Sequence, residues 1–494
     1  MSPLGALTQP PVSARAVPDF AFTAVVWIAA ALYAVLLSAE SIGDHYAYRT
    51  GFDTAIYDQL LWLLAHGEDP FSTVVNRPLL ADHFQPALVL LTPLYWLGLG
   101  VPGLLAAQSV GLALTAPALY ALSRALGASS ALASLPALGW LLCPWVASVN
   151  LFEFRPTAFM PVLLVLSVLG GIARRDILLW ATAILALGLK EDVALTYIVL
   201  GLLLAYHGRR RLGISLTAVS AIWFVFASWT IKALSGSYDA FGQRFAGDRG
   251  ESVGEALVWS LEHPLETLSD VTSQSALGLV ALVLSTGGIV LLAPSWILLA
   301  LPSILYNALS AYTPQHDLVH HYHLGTLAGL FVAAAVGVTR LSSLGRRGRI
   351  AAACGLGLAA AVALVGGVRV HSQAGEGTSL DPAAAERALD VIPPDAPAAA
   401  VLPMLPQLSQ RKEIYTLPEP FVSLEWGSPL SDEELAERAR RVRFVAYIEG
   451  EQARTFYTGE IGTERAVPDA RSLLRRMGFV VVARAGSLEI LERR

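Results

Sequence analysis

Charge is what this sequence has least of. Only 15% of its 494 residues are Asp, Glu, Lys or Arg, against roughly 25% in an ordinary soluble domain. Hydrophobic residues make up 54%, and mean hydropathy is +0.55. Lipid is therefore the solvent for much of the chain. The net charge of −5 is small and spread out, and excludes a nucleic-acid partner as an expectation. Two cysteines, Cys143 and Cys354, both in apolar runs, exclude a disulfide framework and read as small buried hydrophobes. Other absences remove whole reaction classes. There is no Gly-x4-Gly-Lys-Ser/Thr phosphate loop, no Gly-x-Ser-x-Gly elbow and no His-Glu-x-x-His zinc motif. Gly355-Leu356-Gly357 sits in an apolar run with no preceding strand, so it is not a dinucleotide-binding turn. No short internal repeat is visible.

What the chain does have is apolar runs long enough, or nearly so, to cross a bilayer, which takes about 20 residues. They fall at residues 20–39, 103–123, 130–149, 157–173, 176–190, 192–207, 212–233, 275–293, 295–311, 323–339 and 350–369. About eleven transmembrane helices are expected, in a mainly α polytopic protein. The run Pro86–Leu99 is short and bounded by prolines, and fits a juxtamembrane or re-entrant helix better than a span. The polar leader at 1–19 carries Arg15, and the apolar run behind it reads as a retained signal anchor.

Basic residues set the orientation. With Arg15 inside, strict alternation puts Arg124, Arg174, Arg175, Arg209–Arg211 and the Arg340–Arg349 cluster inside as well. An odd number of spans leaves the C-terminus outside. The expected organisation is a cytoplasmic leader (1–19), a transmembrane domain (20–370) with outer loops at 40–102 and 235–274, and an extracytoplasmic α/β domain (371–494). In that last part, helices are expected at 381–391 and 469–477, and strands at 398–402, 442–448, 480–483 and 488–491.

On this topology the polar interruptions of the apolar runs share one side: Phe52–Gln59, Ala81–Pro86, Phe152–Pro156, Lys190–Asp192 and Gln315–His323. Asp53 begins a helix expected at 53–66, on one stripe with Tyr57, while Asp58 points about 140° away. Asp53 is either a functional carboxylate at the mouth of a cavity or an N-cap. Asp82 precedes the Pro-bounded helix and is an N-cap or a site residue; His83 beside it suits a metal or a phosphate. Glu153 and Arg155 are costly at this depth unless paired with each other or facing water. The fork of Arg155 also suits phosphate. Lys190, Glu191 and Asp192 are a solvated hairpin tip or a turned-in cluster. His316, His320 and His323 fall on one face of an assumed helix, with Asp317 and His321 as a second pair. They form an interfacial segment, a phosphate contact or a metal site.

These stretches, FDTAIYDQLLWLLAHG, DHFQPALVLLTPLY, NLFEFRPTAF and LKEDVAL, resemble those of a prokaryotic family of multi-pass predicted membrane proteins grouped with the GT-C glycosyltransferases. The resemblance covers about residues 20–370 and reaches Leu405–Arg411. It implies a GT-C-like fold and a polyprenyl phosphate sugar donor used on the outer face, with a glycan, lipid or protein acceptor. By this resemblance Asp53 is the candidate catalytic base, with Asp82 and Glu153 as secondary candidates. Arg155, Lys190, His320 and His321 are the candidate cations for the donor phosphate. Tyr57, Glu191 and Tyr322 complete the pocket. A divalent metal (Mg, Mn or Zn) stays open as a cofactor, with His83 and His316 as ligands. The family often has His where this chain has Arg155, which favours phosphate contact over metal ligation there. The rival reading is a transporter or flippase of a lipid-linked or polar substrate, using the same charges as a path.

Overall fold

Helix α1 (Asp19–Tyr46) is the first apolar segment and packs against α5 (Gly100–Ala125). Between them lie α2 (Phe52–Ala65), strands β1 (Phe71–Ser72) and β2 (Arg77–Pro78), and the short helices α3 (Leu79–Asp82) and α4 (Pro93–Trp96). The structure is a computed structural model that describes residues 19–235, 253–310, 312–373, 380–422, 430–448 and 470–494. The expected leader and residues 236–252 of the expected loop 235–274 lie outside the described residues.

Among the described residues, five helices are long and apolar enough to cross a membrane: α1, α5, α11 (Arg210–Ser235), His321–Ser343 and Gly345–Val370. A sixth span is broken. Helices α6 (Ser130–Leu142) and α7 (Pro144–Phe152) meet at 42°. The cause is Pro144, which drives Cys143 out of the helical region to ψ 117°. The remaining expected runs are helical but shorter. They include α8 (Met160–Ile172), α9 (Asp176–Leu187), α10 (Val193–Tyr206) and the apolar half of Pro264–Ser285. The run 295–311 is chopped by prolines into Pro294–Ile297, Leu298–Ala300 and Leu301–Ala308. The Pro86–Leu99 run is a 3-10 turn, Pro86–Leu91, followed by α4.

Helix α5 is the central post, mostly buried and touching α1, α6, α8 and the 324–343 helix. The outer surface of α1 and α11 is greasy, with Ile28, Val35, Ile222 and Trp229 exposed, as a lipid-facing wall requires. Helices α10 and α11 meet backbone to backbone. A Cβ on Gly201 would lie 2.6 Å from the Gly213 carbonyl oxygen, so neither position tolerates a side chain.

The C-terminal part holds a five-stranded sheet. Its strands are β3 (Ala398–Ala400), β4 (Ile414–Thr416), β5 (Phe444–Ile448), β6 (Phe479–Ala485) and β7 (Leu488–Arg493), in the order β4-β3-β5-β7-β6. The first three run parallel, and β5, β7 and β6 are antiparallel neighbours. Helices Pro382–Leu389, Asp432–Arg441 and Ala470–Arg476 accompany it. The Asp432–Arg441 helix starts with a capping box made by Ser431 and Glu434.

The core of this sheet is not its own. Ala55, Ile56 and Leu60 of α2, with Tyr48, Val74 and Val75, lie in the same buried cluster as Ala399, Tyr415, Val445 and Ile490. The opposite side of α2, through Tyr57 and Leu61, packs with Leu88, Leu104, Leu105 and Phe154. One 14-residue helix thus serves two cores.

Candidate active site

The N-terminus of α2 meets the turn after α7. Arg155 is ion-paired with Asp53, and the Thr54 amide donates to Glu153 Oε2 at 2.7 Å. Asp53 is therefore a partner of a guanidinium and not the N-cap. Gly51 holds the cap position, and no side chain caps the helix. Glu153 takes the capping role from outside, satisfying an orphan amide across 99 residues of sequence. Glu153 and Arg155 do not close on each other. Burial pushes the Glu153 carboxyl up to about 7, with Asp53 adding to the rise and Arg155 and the Thr54 bonds opposing it.

The turn itself is held by Gln108 of α5, which is fully buried. Its Oε1 accepts from the Arg155 amide at 2.7 Å, and its Nε2 donates to the carbonyls of Asn150 and Glu153, both at 3.1 Å. Arg155 also lies over the Phe152 ring, 5.5 Å from its centroid.

A second weld joins the 82–87 segment to the turn between α9 and α10. Glu191 is buried and grips both His83 Nδ1 at 3.0 Å and the Phe84 amide at 3.1 Å. Burial raises the Glu191 carboxyl, but His83 and Lys190 beside it prevail and hold it down at about 2. The Ala87 amide donates to the Gly188 carbonyl at 2.9 Å. The Lys190–Asp192 stretch is turned inward. Lys190 pairs with Asp192 at 2.9 Å, and its ammonium lies 5.6 Å from the Tyr306 ring centroid. Asp82 ends α3 and pairs with the buried Arg77 at 2.7 Å; it is not a cap, since Gln85 precedes the Pro86–Leu91 turn. Gln85 donates to the Tyr57 hydroxyl at 3.2 Å, which ties this segment back to α2.

The histidine-rich segment differs from its expected form. It is two 3-10 turns, Thr313–His316 and His321–His323, separated by extended residues, so His316, His320 and His323 share no helical face. Pro314 and the polar run disfavour a continuous helix. His320 and His321 stack near Phe152, at 5.5 and 5.9 Å between centroids. His316 instead places Nε2 2.9 Å from the Ser310 carbonyl oxygen. Asp317 pairs with Arg369.

A cleft of about 620 Å³, counted out to open solvent, lies against these elements. Lys190, Asp192, Tyr306, His321 and Tyr322 line it. Asp53 and Arg155 do not line it. They adjoin it through Thr157, two residues after Arg155, and through Tyr322, an electrostatic neighbour of the guanidinium. All five polar segments are thereby joined by direct contact. Among the described residues, no three His, Cys, Asp or Glu side chains come together as a metal site. Each of the two histidines expected as ligands is engaged through one ring nitrogen, His83 Nδ1 with Glu191 and His316 Nε2 with the Ser310 carbonyl.

A family described as "Predicted membrane protein (DUF2079)" matches residues 45–437. The chain belongs to this family. The match takes in every segment of the site and stops within the C-terminal part. Among solved structures the chain is similar to ArnT from Cupriavidus metallidurans bound to undecaprenyl phosphate. The identity is 15%, the TM-score 0.51, and the match covers 92% of this chain and 97% of that one. The apo state of the same ArnT matches at 14% identity and TM-score 0.49, covering 95% and 98%. No curated protein matches. The likeness shows the fold, that of the GT-C glycosyltransferases, in a membrane protein.

Four residues of this arrangement were not singled out from the sequence as site residues: Thr54, Arg77, Gln108 and Tyr306. Gln108 carried a usable signal, being an amide inside a long apolar run. Thr54 acts through its backbone amide, which no sequence pattern announces.

Proposed function

We propose that this protein is a membrane glycosyltransferase. It moves a sugar from a polyprenyl-phosphate-linked donor to an acceptor at the outer face of the cell membrane, with inversion. The C-terminal sheet lies on that same extracytoplasmic side. One observation carries the reading: a carboxylate–guanidinium pair, Asp53–Arg155, beside a cleft lined by Lys190 and His321. It stands in a fold whose ArnT relative was crystallised with undecaprenyl phosphate.

In this reading the acceptor hydroxyl gives its proton to Asp53 as its oxygen attacks the anomeric carbon. The bond from the anomeric carbon to the phosphate oxygen breaks on the far side, and polyprenyl phosphate leaves with the electron pair. Its charge is met by cations already in place: Arg155, held at its amide by Gln108, and Lys190, held by Asp192. A single displacement inverts the configuration.

The test is incubation of the purified protein with a panel of polyprenyl phosphate sugars, following release of polyprenyl phosphate. Transfer that is abolished by Asp53→Asn, in a variant that still inserts and melts like the wild type, is the expected result. Movement of an intact lipid-linked sugar across sealed vesicles, with no cleavage of its glycosyl bond, would replace transfer with transport.

A further inference from the structure

We infer that the C-terminal sheet is the mount of α2, and that Asp58 is the positioning residue through which it sets Asp53. The inference rests on the glycosyltransferase reading only for the role of Asp53.

Asp58 is fully buried and stands at the joint between the two cores that α2 serves. Its Oδ1 accepts from the Tyr95 hydroxyl at 2.7 Å and from Gln410 Nε2 at 3.2 Å. Its Oδ2 accepts from Ser409 Oγ at 2.5 Å. One donor comes from the membrane-edge helix α4 and two from the C-terminal part. Burial pushes the carboxyl up to about 6 even against these donors. A buried carboxylate is an expensive way to join apolar surfaces, and its gain is a single geometry.

The neighbouring bonds make the same joint. Gln59 donates to the carbonyls of Arg411 and Lys412, both at 3.3 Å, and accepts from the Thr73 amide at 3.0 Å. Thr73 Oγ1 then donates to the Ile414 carbonyl at 2.7 Å and accepts from the Ile414 amide at 3.0 Å. Strand β4 is an edge strand, so the loop after α2 closes the open edge of the sheet. Gln407 donates to the His45 carbonyl at 2.9 Å, anchoring the sheet also to the end of α1. Gly100, at φ +46°, leaves room for Gln410. A Cβ there would lie 2.6 Å from Gln410 Nε2.

Asp53 lies five residues before Asp58, about 140° round the helix. A rigid helix gripped on its Asp58 face by the sheet presents Asp53 to Arg155 on the other. Loss of the grip lets α2 shift, and a displacement of about 1 Å is enough to cost up to about a hundredfold in rate.

The experiment uses the full chain in nanodiscs, with Ser409→Ala, Asp58→Asn and Ser409→Thr. Ser409→Ala deletes one atom and is the variant expected to fold. Two quantities are read: hydrogen exchange at the amides of residues 54–61, and kcat and KM for transfer. The expectation for Ser409→Ala and Asp58→Asn is exchange faster by about tenfold at residues 54–61 and kcat down about tenfold or more, with donor KM within about twofold. Ser409→Thr, which keeps the hydroxyl, restores both. Loosening confined to residues 405–412, or a loosened α2 with kcat intact, overturns the inference. If the wild type transfers no sugar, the glycosyltransferase reading falls, and the exchange data alone decide the mount.

Discussion

The Asp53–Arg155 pair makes the sharpest kinetic prediction. If the two act as a unit, their losses will not multiply. At an effective dielectric of about 20, two charges about 4 Å apart attract by about 4 kcal/mol. The side chains keep 27% and 12% of their surface exposed, respectively. Solvent screening lowers the expected coupling to about 2–3 kcal/mol. Removal of a general base costs about 10² to 10⁴ in rate, and removal of one oxyanion-stabilising donor about 10² to 10³. Independent roles would give a double variant slowed by about 10⁴ to 10⁷. A unit gives Asp53→Asn/Arg155→Gln a rate within a few-fold of Asp53→Asn alone, because Arg155 without Asp53 has lost its aim. Single-turnover transfer by the four proteins, with melting curves to show that each is folded, measures this directly. Arg155→Lys keeps the charge but not the fork and should fall between wild type and Arg155→Gln. Fully multiplicative losses would refute the idea that Arg155 serves the phosphate through a position fixed by Asp53.

Glu153→Gln tests the raised carboxyl. The folded chain holds that proton up to about pH 7, whereas an unperturbed Glu loses it near 4.5. The fold therefore binds more protons than the unfolded chain in that window, so wild-type stability falls as pH rises from about 4.5 to 7 and levels off above. The melting-temperature advantage of Glu153→Gln should be absent below pH 4.5 and widest above 7; a constant difference would contradict the assignment. Gln108→Leu strands the Arg155 amide and the Glu153 carbonyl, at about 1–3 kcal/mol for each group that finds no other partner, while the Asn150 carbonyl keeps its bond from Ser41 Oγ. A melting temperature unchanged from wild type would show that the turn is held by something else. In the proposed transfer Lys190 meets the charge of the departing phosphate, so Lys190→Gln should lower kcat about a hundredfold or more in single-turnover transfer, and a rise in donor KM with kcat intact would confine Lys190 to donor binding.

The sequence showed the fold class because lipid imposes long apolar runs and a shortage of charge, and both are properties of composition. In the C-terminal part the helices Pro382–Leu389 and Ala470–Arg476 fall within expected stretches, whereas Asp432–Arg441, with its Ser431 and Glu434 capping box, was not expected. Two kinds of feature were not legible. The first is where a run breaks. Pro294 and Pro302 turn one expected span into three short helices, and prolines in membrane helices kink or end them depending on neighbours that sequence does not reveal. The second is partner choice. Glu153 and Arg155 are two residues apart, yet one binds the amide of Thr54 and the other the carboxylate of Asp53. Extended backbone at 153–155 puts the two side chains on one side of the chain, so their different partners are set by the N-terminus of α2 across the fold and not by local spacing. The histidines failed for a related reason: their helical spacing had meaning only on a helix, and the segment is not one.

The three candidate carboxylates, Asp53, Asp82 and Glu153, have partners that separate their roles. Asp82 is bound to Arg77, whose side chain is 5% exposed and sits on strand β2, so that pair fixes a loop. Glu153 spends one oxygen on the Thr54 amide and holds its proton to about pH 7. A base must be unprotonated and within reach when the acceptor arrives, and Glu153 meets that condition for only part of the neutral range. Asp53 is paired with the Arg155 guanidinium, and it stands on the first turn of a helix gripped from its far side. Its partner is also an electrostatic neighbour of Tyr322 in the cleft wall, which the partners of the other two are not shown to be. Lys190 and His321 line the cleft, and Arg155 adjoins it through Tyr322. Direct pairing with that guanidinium is the ground on which the proposed transfer gives the proton to Asp53 and not to the better-buried Glu153.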